Sequence, residues 1–139
     1  MSLYILDTDQ LSLLQRGHPA VQKHYDAHPP DHLAITIVTV EEQLRGRLAQ
    51  VNKQPSGPLR CEAYERLRKA VADFCKINVL EYDAAADALF LNLKRRFPQL
   101  GSQDLRIAAV TLAHQATLVT HNQVDFGKLP ELTTEDWTR

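Results

Sequence analysis

Cysteine is scarce: Cys61 and Cys75 are the only two in 139 residues, and they form no C-x-x-C pair. A disulfide framework is therefore excluded, and a reducing, cytoplasmic setting is the expectation. Long apolar runs are missing too. None approaches the roughly 18 residues that a membrane span needs. The first seven residues carry no basic segment and already meet an acid at Asp7, unlike a secretion signal. There is no excess of either charge. Sixteen Lys and Arg stand against 17 Asp and Glu, a net charge of −1. That excludes a generally polycationic nucleic-acid coat but leaves room for a local basic patch. Repeats and low-complexity tracts are absent. What remains is an ordinary globular composition, 44% apolar and 24% charged, of a size that reads as a single domain over residues 1–139.

Apolar runs and turn residues alternate along the chain. Residues 3–6 read as a buried strand that stops at Asp7. A short helix over 8–14 ends at Gly17, and a second over 20–28 has Pro19 in its first turn and Pro29-Pro30 beyond it. Residues 33–38 are rich in β-branched side chains and read as a strand. Thr39 then opens a helix to about 51, residues 52–58 form a loop, and a helix follows over 59–74. The remaining expectations are a strand at 77–80, a helix at 84–97, a helix at 105–114 preceded by Ser102 as N-cap, a strand at 117–120 and a weak strand at 132–134. Strands alternating with helices imply an α/β fold: a three-layer α/β/α sandwich around a mostly parallel central sheet. In such sheets ligands bind beyond the carboxyl ends of the strands.

Four acids fall near those ends: Asp7, Glu42, Asp104 and Asp125. Each has a purely structural explanation. Asp7 can cap a helix. Thr39 and Glu42 have the spacing of a capping box. Asp104 suits the first turn of a helix, and Asp125 suits a turn. Taken together they would face one cleft. Clustered carboxylates raise one another's pKa, and a divalent cation removes that cost. Hard oxygen ligands without cysteine suit Mg²⁺, or Mn²⁺ as a substitute, rather than zinc.

The same residues carry a resemblance. Tyr4-Ile5-Leu6-Asp7-Thr8-Asp9 resembles the opening of PIN-domain proteins. Residues 37–46 resemble their second block, and the threonine-to-glycine spacing places the family's glutamate on Glu42 rather than Glu41. Residues 103–109 and 118–126 resemble the third and fourth blocks, with Gln103 where the family often has Asn and Gln43 where Leu is common. The four blocks occur in the family's order and span the chain. Small size without added domains is most similar to VapC-type toxins of toxin–antitoxin pairs.

The resemblance implies a Mg²⁺-dependent endoribonuclease, held inactive by a cognate antitoxin and assembled as a homodimer. It implies Asp7 and Asp104 as main metal ligands, Glu42 as a ligand directly or through water, and Asp125 as the residue that completes the acidic set or holds a second metal. Thr8, Thr120 and Asn122 would orient carboxylates or water. The products would carry a 5′-phosphate.

Charge is unevenly spread in a way that suits an RNA substrate. Residues 43–76 hold eight bases and three acids, and residues 94–106 are net +3. Arg95, Arg96 and Arg106 are the candidate contacts to the RNA backbone, Arg95 and Arg96 because no acid lies near them in sequence. Glu62–Arg66 and Glu65–Lys69 are alternatives in which the charge is merely paired along a helix. The six histidines contain no H-E-x-x-H pattern, and His121 falls beside the fourth block. Two rivals stand. Asp7-Thr8-Asp9 also resembles the D-x-D of haloacid dehalogenase phosphatases, with Asp7 as nucleophile, although Gly101–Asp104 does not supply that family's later Gly-Asp pair. Alternatively the acids only cap helices, and the domain is a non-catalytic binding module. The stripe Tyr64, Leu67, Val71 and Phe74 is either core or a surface for a dimer or antitoxin.

Overall fold

The computed structural model describes residues 2–139. The elements are β1 (Tyr4–Leu6), α1 (Thr8–Gln15), α2 (Pro19–Asp26), a 3₁₀ turn (Pro30–His32), β2 (Leu33–Thr36), α3 (Ile37–Lys53), α4 (Pro58–Phe74), β3 (Asn78–Leu80), α5 (Ala84–Arg96), α6 (Ser102–Ala113), β4 (Thr117–Val119), α7 (Gln123–Phe126) and β5 (Thr133–Glu135). The five strands form one sheet in the order β3-β2-β1-β4-β5, and every pairing is parallel. The chain runs outward from β1 through β2 to β3, then returns to the other side of β1 as β4. The order therefore reverses between β1 and β4, which is where a parallel sheet opens a crevice at its carboxyl edge.

Alternation along the strands sorts the core into two layers. Ile5, Ala34, Leu80 and Leu118 point to the side covered by α5 and α6, where Phe90, Leu93, Leu105 and Ile107 pack. Leu6, Leu33, Ile35 and Val119 point to the other side, against Leu11, Val21 and Trp137. Helices on both faces leave only the ends of the sheet open, and the expected three-layer sandwich is found. Among the described residues no helix is long and apolar enough to cross a membrane.

Local chemistry explains most boundaries. Gly17 sits at φ 75° just past α1, a conformation that favours glycine, and Pro19 takes the first position of α2. Three expectations are corrected. Helix α3 starts at Ile37, not Thr39. Thr36, the last residue of β2, caps it by accepting the Thr39 amide at 3.1 Å. Ile37 and Val38 are β-branched and read as strand, but the captured amide decides the conformation. The capping box at Thr39 and Glu42 therefore does not form. Helix α6 starts at Ser102 itself, with Gly101 as its cap and no side-chain capping bond. Only part of the α4 stripe joins the core: Phe74 packs against the core and Leu67 is half-buried. Tyr64 is 50% and Val71 49% exposed, while Ala63 and Ala70 face inward. Small residues at those positions fit α4 closely alongside α3.

Candidate metal centre

Asp7 follows β1 directly, at the point where the strand order reverses. It caps α1, its Oδ1 accepting the Gln10 amide at 2.8 Å. The structural explanation for this residue is thus correct. Asp7 is only 6% exposed. Burial pushes its carboxyl up from 3.8 to about 6, opposed by hydrogen bonds from Thr120 and Gln10 and reinforced by the nearby charges of Asp9 and Asp104.

Thr8, the next residue, points its hydroxyl at α3. It donates to Glu42 Oε1 at 2.6 Å and lies 3.2 Å from the Thr39 hydroxyl. Glu42 is therefore held across 34 residues of sequence, with its second oxygen free of that bond. The neighbouring Glu41 is turned away. It pairs with Arg45 at 2.7 Å and accepts from Gln103 at 2.8 Å.

Asp104 lies in the first turn of α6. Its carboxyl is raised by burial, then by the charges of Glu42, Asp125 and Asp9. Those charges belong to four separate segments that share one electrostatic field. Asp125 sits in α7, capped by Asn122. The Asn122 side chain accepts the Asp125 amide at 3.2 Å and donates to Asp125 Oδ2 at 3.1 Å. Thr120 Oγ accepts the Asn122 amide at 3.0 Å, and the same hydroxyl helps to lower the Asp7 carboxyl against its burial.

The structure therefore brings Asp7, Glu42, Asp104 and Asp125 to one edge, with Thr8, Thr120 and Asn122 each bonded to one of the carboxylates or to a neighbour of one. Among the described residues no three His, Cys, Asp or Glu side chains stand close enough to enclose an ion. The arrangement is an open acidic cleft rather than a closed cage. The donor set is nonetheless one that a hard cation fits: oxygen only, partly dehydrated and mutually repelling. Asp9 was missed as a contributor. It lies within the quoted opening motif, and its charge raises both Asp7 and Asp104. The signal was its spacing of two from Asp7.

Other expected residues are placed differently. Arg96 is not free. It grips Glu131 with two bonds of 2.7 and 2.9 Å, across 35 residues of sequence, and is dropped from the RNA contacts. Arg95 forms no ion pair among the described residues. Arg106 lies 4.4 Å over the Phe90 ring and donates to Gln103. Glu62–Arg66 pairs at 3.1 Å as expected, and Glu65–Lys69 does not pair among the described residues. His121 turns its Nδ1 to Asp136 at 2.7 Å. Burial alone would push the Asp136 carboxyl up, but bonds from Thr138 and His121 hold it down at about 2. His24 and His28 stack on Trp137, at 5.5 and 5.1 Å between ring centres.

Comparison with known proteins bears on the family and the fold. Residues 4–132 match the PIN domain family. Ribonuclease VapC1 of Haemophilus influenzae (strain R2866) is 27% identical over 147 aligned positions, covering 99% of each chain. Ribonuclease VapC2 of Rickettsia felis is 29% identical over 68 residues, 46% of this chain and 51% of that one. Among solved structures, DNA-bound VapBC from Salmonella typhimurium superposes with a TM-score of 0.78 at 24% identity, over 99% of both chains.

Proposed function

The chain belongs to the PIN domain family, and from that premise we propose that it is a metal-dependent endoribonuclease acting as the toxin of a cytoplasmic toxin–antitoxin pair. The observation that carries this reading is the convergence of Asp7, Glu42, Asp104 and Asp125 at the reversal point of the sheet, with Asp7 and Asp104 held at raised pKa. The relatives named as VapC ribonucleases support the activity, and the VapBC complexes of the same fold support an antitoxin partner. A homodimer is the proposed assembly. The phosphatase and binding-module rivals have no such support.

Asp7 and Asp104 would hold the ion, with Glu42 and Asp125 completing the set directly or through water. Mg²⁺ is the proposed ion and Mn²⁺ its substitute, because both accept hard oxygen ligands and retain water in an open site. When bound, such an ion supplies the positive charge that stabilises a phosphodiester's oxygens and acidifies water. The chain's own contribution is positioning. The Gln10 amide and Thr120 fix Asp7, Thr8 fixes Glu42, and Asn122 fixes Asp125. Arg95 and Arg106 are the proposed contacts to the RNA backbone.

The chemistry is checked by the ends of the fragments. Hydrolysis at such a centre leaves 5′-phosphates, so labelled RNA cut by the purified chain is expected to ligate only through a 5′-phosphate end. Fragments with 2′,3′-cyclic phosphates would instead indicate attack by the RNA's own 2′-hydroxyl and would contradict the proposal. The positioning role is checked at Thr8. Thr8→Val keeps the volume and removes the donor to Glu42. Cleavage is expected to fall by about 10-fold or more, with more metal needed for half-maximal rate, as for other residues that orient a metal ligand. Thr8→Ser is expected to retain most of the rate. Equal rates for Thr8→Val and the unmodified chain would remove the role.

A further inference from the structure

A cavity of about 290 Å³ opens between α1, α3 and α4, and its walls include Gln15, Arg16, Arg47, Arg66, Lys69 and Asp73. Four cations there face one carboxylate. Arg66 is shared with Glu62 at 3.1 Å, and Arg16 reaches only the Ser12 carbonyl at 3.3 Å. Arg47 and Lys69 belong to no ion pair among the described residues. The Arg47 Nε is shut off from solvent and has no hydrogen-bond acceptor. A buried donor of this kind on a cation is costly unless something brings it an acceptor.

The cavity and the acids lie along the same seam of α1 and α3. Thr8 bonds Glu42 at 2.6 Å. The next residue of α3, Gln43, bonds Ser12 at 3.2 Å and Gln15 at 2.8 Å, on the following turns of α1. Arg47 follows Gln43 by four residues, the next turn of the same helix. At about 1.5 Å of rise per residue, Arg47 lies five residues, roughly 7.5 Å, along α3 from Glu42. Arginine forks match phosphate oxygens in pairs, and the lining is too polar for an apolar peptide.

We propose that this cavity binds a backbone phosphate of single-stranded RNA, a few nucleotides from the bond to be cut; the proposal rests on the nuclease reading above. The seam then sets the distance between the held phosphate and the acidic cleft, so that a strand anchored at one end lies across the other.

The test is binding without cleavage. A fluorescein-labelled single-stranded RNA of 12 nucleotides is titrated with the full chain in EDTA and followed by anisotropy at several salt concentrations. The Arg47→Gln/Lys69→Gln pair is expected to bind on the order of tenfold more weakly, and its log Kd against log salt slope is expected to flatten by about 0.7, one phosphate's share on a single strand. Lys53→Gln/Arg68→Gln removes the same charge outside the cavity and is expected to leave slope and affinity near those of the unmodified chain. Should the first pair melt early, Lys69→Gln alone, at an exposed helix position, carries the test with a smaller change in the same direction. Unchanged affinity and slope in the cavity variants, with RNA still bound and cut by the unmodified chain, would overturn the phosphate site alone and leave an acidic protein partner as the occupant. Failure of the unmodified, folded chain to bind RNA at all would overturn the nuclease reading with it.

Discussion

Asp7→Asn is expected to abolish RNA cleavage and at the same time to make the metal-free protein more stable at pH 7. The first effect follows from the loss of a ligand charge at the centre of the acidic cleft, and a fall of at least about a thousandfold is expected. The second follows from burial. The folded-state pKa of Asp7, about 6, lies above its ordinary value of 3.8, so the folded chain holds that proton more tightly than the unfolded chain. Stability of the metal-free protein therefore declines as pH rises between those two values, and the full penalty stands above pH 6. At about 1.36 kcal/mol per unit, the difference is worth up to about 3 kcal/mol. Asparagine is neutral at every pH and caps a helix as well as aspartate does, so the Gln10 amide keeps its acceptor. A rise in melting temperature of about 5–10 °C at pH 7 is expected, shrinking toward zero at pH 4. Asp7→Ala loses the cap and gains less. If Asp7→Asn were inactive and also less stable at pH 7, the carboxylate would be serving the fold.

Divalent ions are expected to stabilise the unmodified chain, and Asp104→Asn is expected to remove most of that stabilisation. An ion that binds only the folded state contributes RT ln(1 + [L]/Kd), about 2.7 kcal/mol at a hundred times Kd, which is several degrees of melting temperature for a domain of this size. Asp104 is raised by Glu42, Asp125 and Asp9 as well as by burial. Neutralising it removes one ligand and relieves the repulsion that the ion relieves. The metal-free variant is thus expected to melt at or above the unmodified protein, and to respond weakly to Mg²⁺ or Mn²⁺. Protons compete for the same carboxylates, so the ion's effect on the unmodified chain is expected to fade as pH drops through about 6. Equal metal-induced shifts in both proteins, followed by scanning calorimetry, would place the ion elsewhere.

Much of the architecture was legible because local patterns and the global fold agree. The apolar run before Asp7, the prolines and Gly17 each act within a few residues. So does the alternation that sends Ile5 to one layer and Leu6 to the other. The errors share a cause, a competing contact that sequence spacing does not display. Ile37 and Val38 read as strand, yet the Thr36 hydroxyl takes the Thr39 amide and starts the helix early. Arg96 looked unpaired because Glu131 is 35 residues away. The α4 stripe had helical spacing, but the neighbouring Ala63 and Ala70 are the residues that α4 buries.

The candidate site divides in the same way. Its acids were legible as residues that follow strands or open helices. Their supports were not, because each bridges separate segments: Thr8 to Glu42 across the α1–α3 seam, and Thr120 to Asp7 across the crevice. Asp9 was visible in the opening motif, but its effect on Asp104 depends on the fold bringing α1 and α6 to one edge. The acid–acid field is a tertiary property, and it gives the site its energetic signature.

The most direct test of the central claim is RNA cleavage by one preparation of the purified, partner-free chain: stripped of metal with EDTA, restored with Mg²⁺ or Mn²⁺, and compared with Asp7→Asn under the same conditions. The expected result is no cleavage in EDTA, recovery on adding either ion, and no recovery in the variant. Cleavage that persists in EDTA, or that survives in Asp7→Asn, would contradict a metal-dependent nuclease built on these carboxylates.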